Sequence, residues 1–146
     1  VVDNHRGFID FIGKSAESKK RKLDALKLLI KNGASLTIED NLGKTVLDDA
    51  VERADGVMIR FLLDNGYSIN HQNSMGRTIF QDVALFGNNK IFQIFMNYNA
   101  NFNQKDNYGK TVLFDAVEGG NLTILKDVIN NINNINTLDE NHRTAL

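Results

Sequence analysis

The chain repeats every 33 residues. Thr45, Thr78, Thr111 and Thr144 are equally spaced, and Asp40, Asn73, Asp106 and Asp139 open each unit at the same interval. A fixed period on this scale marks a stacked-repeat protein, in which one small helical unit cannot bury its apolar face alone. Neighbours stack and present a long continuous surface in place of one pocket. Such a surface implies binding rather than catalysis.

Aligned by this period, the units read DNLGKTVLDDAVE from Asp40, NSMGRTIFQDVAL from Asn73, DNYGKTVLFDAVE from Asp106 and DENHRTAL from Asp139. This resembles the ankyrin repeat pattern D-x-x-G-x-T-P-L-H-x-A-A. The later part of each unit, ALKLLIKNGASLT from Ala25 or VMIRFLLDNGYSIN from Val57, is similar to the ankyrin V-x-x-L-L-x-x-G-A segment. The resemblance covers nearly the whole chain. It implies an all-α ankyrin repeat solenoid of stacked helix-turn-helix units with projecting β-hairpin fingers. A single domain over 1–146 is expected, with units at about 1–39, 40–72, 73–105 and 106–138 and the start of a further unit at 139–146.

The periodicity is helical. Val46, Leu47, Ala50 and Val51 have the spacing of one helix face, and Met58, Ile59, Leu62 and Leu63 that of a second, so each unit holds two short antiparallel helices. Gly33 and Gly66 follow the second apolar set, where a helix ends in the left-handed conformation. Asn99 takes that place in the third unit, which asparagine tolerates. Ile132 takes it in the fourth, where β-branching predicts an irregular helix exit. NNINNIN, from Asn130 to Asn136, reads as helix end and loop.

There is no proline, so the family's Thr-Pro-Leu-His becomes Thr45-Val-Leu-Asp48, Thr78-Ile-Phe-Gln81 and Thr111-Val-Leu-Phe114. The first two fit a capping box. Phe114 cannot cap. The runs 38–44, 71–77 and 105–110 are expected to form the fingers, with Gly43, Gly76 and Gly109 at their turns. The first unit is atypical: its second helix is clear from Leu23 to Lys31, and NHRGFI from Asn4 aligns with NHRTAL from Asn141. The stretch between them needs an insertion, read as a loop at GKSAESKKRK.

Composition narrows the function. With 42% hydrophobic residues and a formal charge of −1, the chain fits a soluble globular protein and gives no electrostatic case for nucleic acid. No apolar run approaches the roughly 18 residues of a membrane span. Cysteine is absent, which excludes disulfides and thiolate chemistry and leaves the redox compartment open. The expected location is the cytoplasm, as a monomer. Val1 is not an initiator methionine and Leu146 stops one turn into a fifth unit, so the sequence reads as a fragment.

His5, His71 and His142 lie far apart, His5 and His142 at finger-glycine places, and no pair has metal-ligand spacing. No serine sits in a nucleophile elbow, and no glycine run forms a phosphate loop. Catalytic residues, cofactors and metals are therefore not expected. Asp49, Asp82 and Asp115 form a carboxylate column, but adjacent repeats would hold them about 10 Å apart, too far to share an ion. The column reads as solvated or backbone-paired, with a basic partner segment as the functional alternative. An enzyme using these aspartates is the remotest reading. Lys44, Arg77, Lys110 and Arg143 form a second column, beside the finger turns, able to meet an acidic ligand or simply to keep the finger edges soluble. Lys19 to Lys22 reads as a solvated helix start or loop, with an import signal or anionic-surface contact as the alternative.

The most suggestive residues follow from the resemblance. In ankyrin stacks the finger tips and the ends of the first helices line a concave groove. Leu42, Met75, Leu85, Phe86 and Tyr108 occupy those places, an apolar cluster with a polar rim, as partner sites have. The alternative for Leu85 and Phe86 is packing inside the stack. Phe86, Met75 and Tyr108 are the expected anchors for a protein or peptide, and Lys44, Arg77, Lys110, Glu52 and Glu118 the residues that orient it. The runner-up function is a structural or regulatory segment of a larger protein whose groove packs against its own chain.

Overall fold

The computed structural model describes residues 16–146. The alignment at Asn4 and the histidine at His5 lie outside these. Among the described residues the regular elements are helices: α1 (Ala16–Lys31), α2 (Val46–Glu52), α3 (Gly56–Asp64), α4 (Ile79–Phe86), α5 (Asn89–Asn97), α6 (Val112–Gly119) and α7 (Leu122–Asn131). The chain divides into two compact units, Val1–Leu62 and Leu63–Leu146, with the boundary inside α3.

The helix starts follow the sequence closely. Thr45 and Thr78 are extended, and each forms a full capping box with Asp48 or Gln81. Thr111 has the same extended backbone but makes no side-chain cap bond, and Phe114 has no polar group to return the reciprocal one. Thr78→Ala should therefore lower the stability of the second unit by about 1 kcal/mol, and Thr111→Ala by clearly less. Urea midpoints compare the two, and equal losses would assign the effect to the buried methyl group instead of the cap.

The helix ends also behave as expected. Gly33 and Gly66 have φ of +86° and +92°, and Asn99 takes +58° in their place. Around Asn99 the two bonds Asn99 N→Met96 O and Ala100 N→Phe95 O close a Schellman motif. Ile132 leaves α7 in extended conformation, with φ −90° and ψ 154°. A left-handed exit there would push its branched Cβ into the backbone.

Two features depart from the sequence reading. The run expected to be a loop insertion is helical from Ala16, because Ala-Glu-Ser-Lys-Lys-Arg-Lys contains mostly good helix formers and no breaker before Leu23. The fingers carry little strand character, one isolated antiparallel bridge between Gln72 and Thr78 among the described residues. They are tight turns held by side chains, as shown below.

In the first unit the buried set includes Leu26, Leu47, Ala50, Met58, Ile59 and Leu62. The second unit is built around aromatics: Phe80 stacks on Phe92 at 4.9 Å, and Phe102 meets Phe80 edge-on at 5.0 Å. Its most extensive helix contact joins α4 and α6, the first helices of consecutive repeats. Gly119 permits that approach. A Cβ there would lie 2.5 Å from the Leu85 carbonyl oxygen and 2.8 Å from that of Ala84. Gly119→Ala should force the helices apart and destabilise the second unit by about 1–3 kcal/mol, visible as a lowered Tm; an unchanged Tm would mean that the backbones yield freely.

Candidate functional site

Each finger is organised by the acid or amide at its head. Asp40 Oδ1 accepts from the amides of Leu42 at 2.8 Å and Lys44 at 3.0 Å. Asn73 does the same for Met75 and Arg77, both at 3.0 Å. Asp106 serves Tyr108 and Lys110, both at 2.9 Å, and Asp139 serves Asn141 and Arg143. One side-chain oxygen accepts both bonds, so asparagine at position 73 makes the same pair as aspartate does elsewhere. The turn residue is left-handed in every finger, Gly43, Gly76, Gly109 and, in the last, His142 at φ +58°.

Within the second unit successive fingers are joined through the backbone. The Asn107 amide donates to the Met75 carbonyl at 3.1 Å, and the Glu140 amide to that of Tyr108 at 2.9 Å. Met75 and Tyr108 are thereby held on neighbouring tips with their side chains exposed, at 50% and 57%. Leu42 is 74% exposed on its own tip in the first unit.

The helices supply the other edge. Asp82, Leu85 and Phe86 share one face of α4 by their i, i+3, i+4 spacing, and Asp115, Glu118 and Gly119 repeat it on α6. Leu85 is half-buried, whereas Phe86 at the helix end is 69% exposed, so the two split between the packed and the presented alternatives. Phe86 stands about 10 Å along α4 from the finger, seven residues at 1.5 Å each. The face thus has an apolar edge at the fingers, a second at Phe86, and a charged strip between.

That strip is where the sequence reading needs correction. Arg77 does not project from the finger edge. It turns inward, its side chain only 16% exposed, and binds three carboxylates: Asp82 Oδ1 at 2.6 Å, Asp115 Oδ1 at 2.9 Å and Asp106 Oδ2 at 3.4 Å. The aspartate column is arginine-paired, not solvated or backbone-paired, because a guanidinium offers five donors in a rigid fork and reaches carboxylates on two successive repeats. Burial alone would lower the Arg77 pKa, but Asp115 and Asp82 override it and hold the group above its ordinary value. Three acids compete for this one cation. Burial pushes the Asp115 carboxyl up to about 6 against the opposing pull of Arg77, and the charges of Asp82 and Asp106 add to the rise. Asp115 Oδ2 is buried and accepts no hydrogen bond. No group of three or more acids or histidines among the described residues is arranged to hold a metal ion.

Charge is balanced differently in the first unit. Lys44 pairs with Glu52 at 2.5 Å, and the Asp49 carboxylate receives the Arg53 Nε–H at 2.9 Å. The hydrogen bond to Glu52 raises the Lys44 pKa. In the second unit Glu118 and Glu140 are exposed and have no ion pair among the described residues, and Lys110 is half-buried. An open cleft of about 630 Å³ lies beside them, lined among others by Lys110, Phe114, Val117, Glu118 and His142.

The basic run at Lys19 to Lys22 divides. Lys19, Lys20 and Arg21 are exposed on α1, whereas Lys22 is buried, its Nζ without a hydrogen bond among the described residues. Burial, then Arg53, lowers its pKa.

Two residues bordering this face are absent from the sequence reading of the site. Leu122 is 70% exposed at the start of α7. The neighbouring Asn121 donates to the Gly87 carbonyl at 2.9 Å, so Leu122 and Phe86 flank the same joint. The equivalent places of the two preceding units hold Gly56 and Asn89, while the first unit also has a leucine there, Leu23. The third partner of Arg77, Asp106, was read only as a unit marker.

A helix-turn-helix array with side-chain-braced turns defines a helical repeat protein. The family model described as ankyrin repeats, in three copies, matches residues 50–139, and the chain belongs to the ankyrin repeat family. Ankyrin repeats are in general protein–protein interaction modules, and the family is typically non-enzymatic. A search of the curated proteins finds no match. No helix among the described residues is long and apolar enough to cross a membrane.

Proposed function

We propose that this chain, taken over residues 1–146 as one ankyrin repeat domain, is a non-enzymatic module that binds a protein or peptide in its concave groove. The observation that carries the reading is the exposure of Met75, Phe86 and Tyr108 at the two edges of one charged helix face. An aromatic or methionine side chain held in water by rigid backbone loses apolar area to solvent until a partner covers it. In the second unit Leu85 and Leu122 extend the apolar contact, while Glu118 and Lys110 orient the partner; on the first unit, taken by itself, Leu42, Lys44 and Glu52 are the proposed contact residues. Arg77 contributes by positioning Asp82 and Asp115. The module acts as a monomer in the cytoplasm, on protein and not on nucleic acid.

Phe86→Ala should weaken binding by roughly 2 kcal/mol or more and leave the helical circular dichroism unchanged. Unchanged affinity, measured by calorimetry with the captured partner, would end the claim.

A second reading, a structural or regulatory segment packing against its own chain, is favoured by the cleft bordered by Phe114 and Val117. Cross-links from Lys110 to remote parts of the same chain, in the protein as its source cell makes it, would support this reading. Cross-links only to other proteins would remove it.

A further inference from the structure

The charged strip between the apolar edges tells what kind of segment the groove takes. Arg77 is the only guanidinium among Asp82, Asp106 and Asp115, and both of its bonds to Asp82 go to the same oxygen, Oδ1. Asp115 Oδ2, nine-tenths buried in the same cluster, has no donor at all. Glu118, one turn along α6 from Asp115, is exposed and has no ion pair among the described residues. Lys110 is half-buried, and Lys105 at the start of the same finger spends its ammonium on the Leu138 carbonyl. The face therefore holds more carboxylate than cation, and the excess lies between Met75 and Tyr108 on one side and Phe86 on the other.

We propose that the partner is a basic protein segment, one that places a lysine or arginine beside an aromatic or aliphatic side chain. The apolar side chain covers Phe86 or the Met75–Tyr108 edge, and the cation lies over the strip, within reach of Asp82 and Glu118. An acidic segment would meet like charge at every exposed acid of this face, a juxtaposition that excludes partners. In the first unit Lys44–Glu52 and Arg53–Asp49 cancel locally, so the selectivity for positive charge resides in the second unit. The assignment rests on the groove reading above.

The two readings separate in one experiment. A random 12-residue peptide library displayed on phage is selected on the immobilised 146-residue chain, and the selected peptides are then titrated against the wild type, Phe86→Ala and Glu118→Lys. Glu118 is exposed, so its replacement keeps the fold, which circular dichroism checks. Enrichment of lysine or arginine next to apolar residues, with affinity falling at least tenfold in Glu118→Lys and with rising salt, is the expected result. Neutral or acidic peptides, or basic ones indifferent to Glu118→Lys, would overturn the basic-partner assignment while leaving the groove intact if they still depend on Phe86. Peptides that bind Phe86→Ala as well as the wild type, or no enrichment at all, would overturn both.

Discussion

Replacing Arg77 with alanine is expected to destabilise the second unit by about 3–5 kcal/mol, more than a surface cation could. The loss comes less from the attraction removed than from what remains: Asp82, Asp115 and Asp106 would face one another with no cation among them, two of them nearly inaccessible to water. An exposed ion pair contributes at most about 1 kcal/mol, so the size of the effect distinguishes the two situations. The measurement is direct. The chain has no tryptophan, and its three tyrosines, Tyr67, Tyr98 and Tyr108, all lie in the second unit, so tyrosine fluorescence in urea reports that unit alone. Arg77→Lys should recover only part of the loss, because an ammonium cannot fork between carboxylates on two repeats. A loss below about 1 kcal/mol for Arg77→Ala would show that water reaches the cluster freely.

The same cluster sets an unusual pH dependence. Asp115 titrates near 6 in the folded chain against an ordinary value of 3.8, so between these values the folded form holds a proton that the unfolded form has released. Its contribution to stability is full below 3.8, declines as pH rises and is gone above about 6, a range worth roughly 3 kcal/mol at 1.36 kcal/mol per unit. Most acids act in the opposite sense. Asp139, held below its ordinary value by backbone amides, notably that of Arg143, contributes stability at higher pH that is lost on acidification. The Asp115 effect must therefore be read as a difference. Asp115→Asn keeps an oxygen for Arg77 and removes the titration, and wild-type stability minus that of the variant should fall by roughly 2 kcal/mol from pH 4 to pH 7, since the unfolded carboxyl is already more than half ionised at pH 4. A flat difference across that interval would mean that Asp115 ionises normally.

Much of the scaffold was legible because single residues dictate local geometry. Thr45 with Asp48 and Thr78 with Gln81 specify capped helix starts, Gly33 and Asn99 left-handed exits, and Ile132 the lack of one. The start of α1 was not legible. The repeat places a helix break at Lys22, where other units have Asp55, Asn88 and Asn121, and the polar run before it hides a helix that continues through. Nor was the role of Arg77. A periodic alignment places residues in columns, but it does not say whether a long side chain leaves the surface or folds beneath it. Two columns of opposite charge, read separately, the acids as solvated or backbone-paired and the cations as lying along the finger edges, meet in space because arginine spans the gap that aspartates alone would leave.

The fingers separate what must stay from what is free to vary. At Met75 the amide is bound by Asn73 and the carbonyl by the next finger, and at Tyr108 by Asp106 and the following one, so at these two tips the side chain alone is uncommitted. Each tip is in effect a socket of fixed spacing into which different side chains can be placed while the supporting bonds are untouched. Randomising the two positions together should yield a folded library, and under the proposed groove binding its members would differ in what they bind.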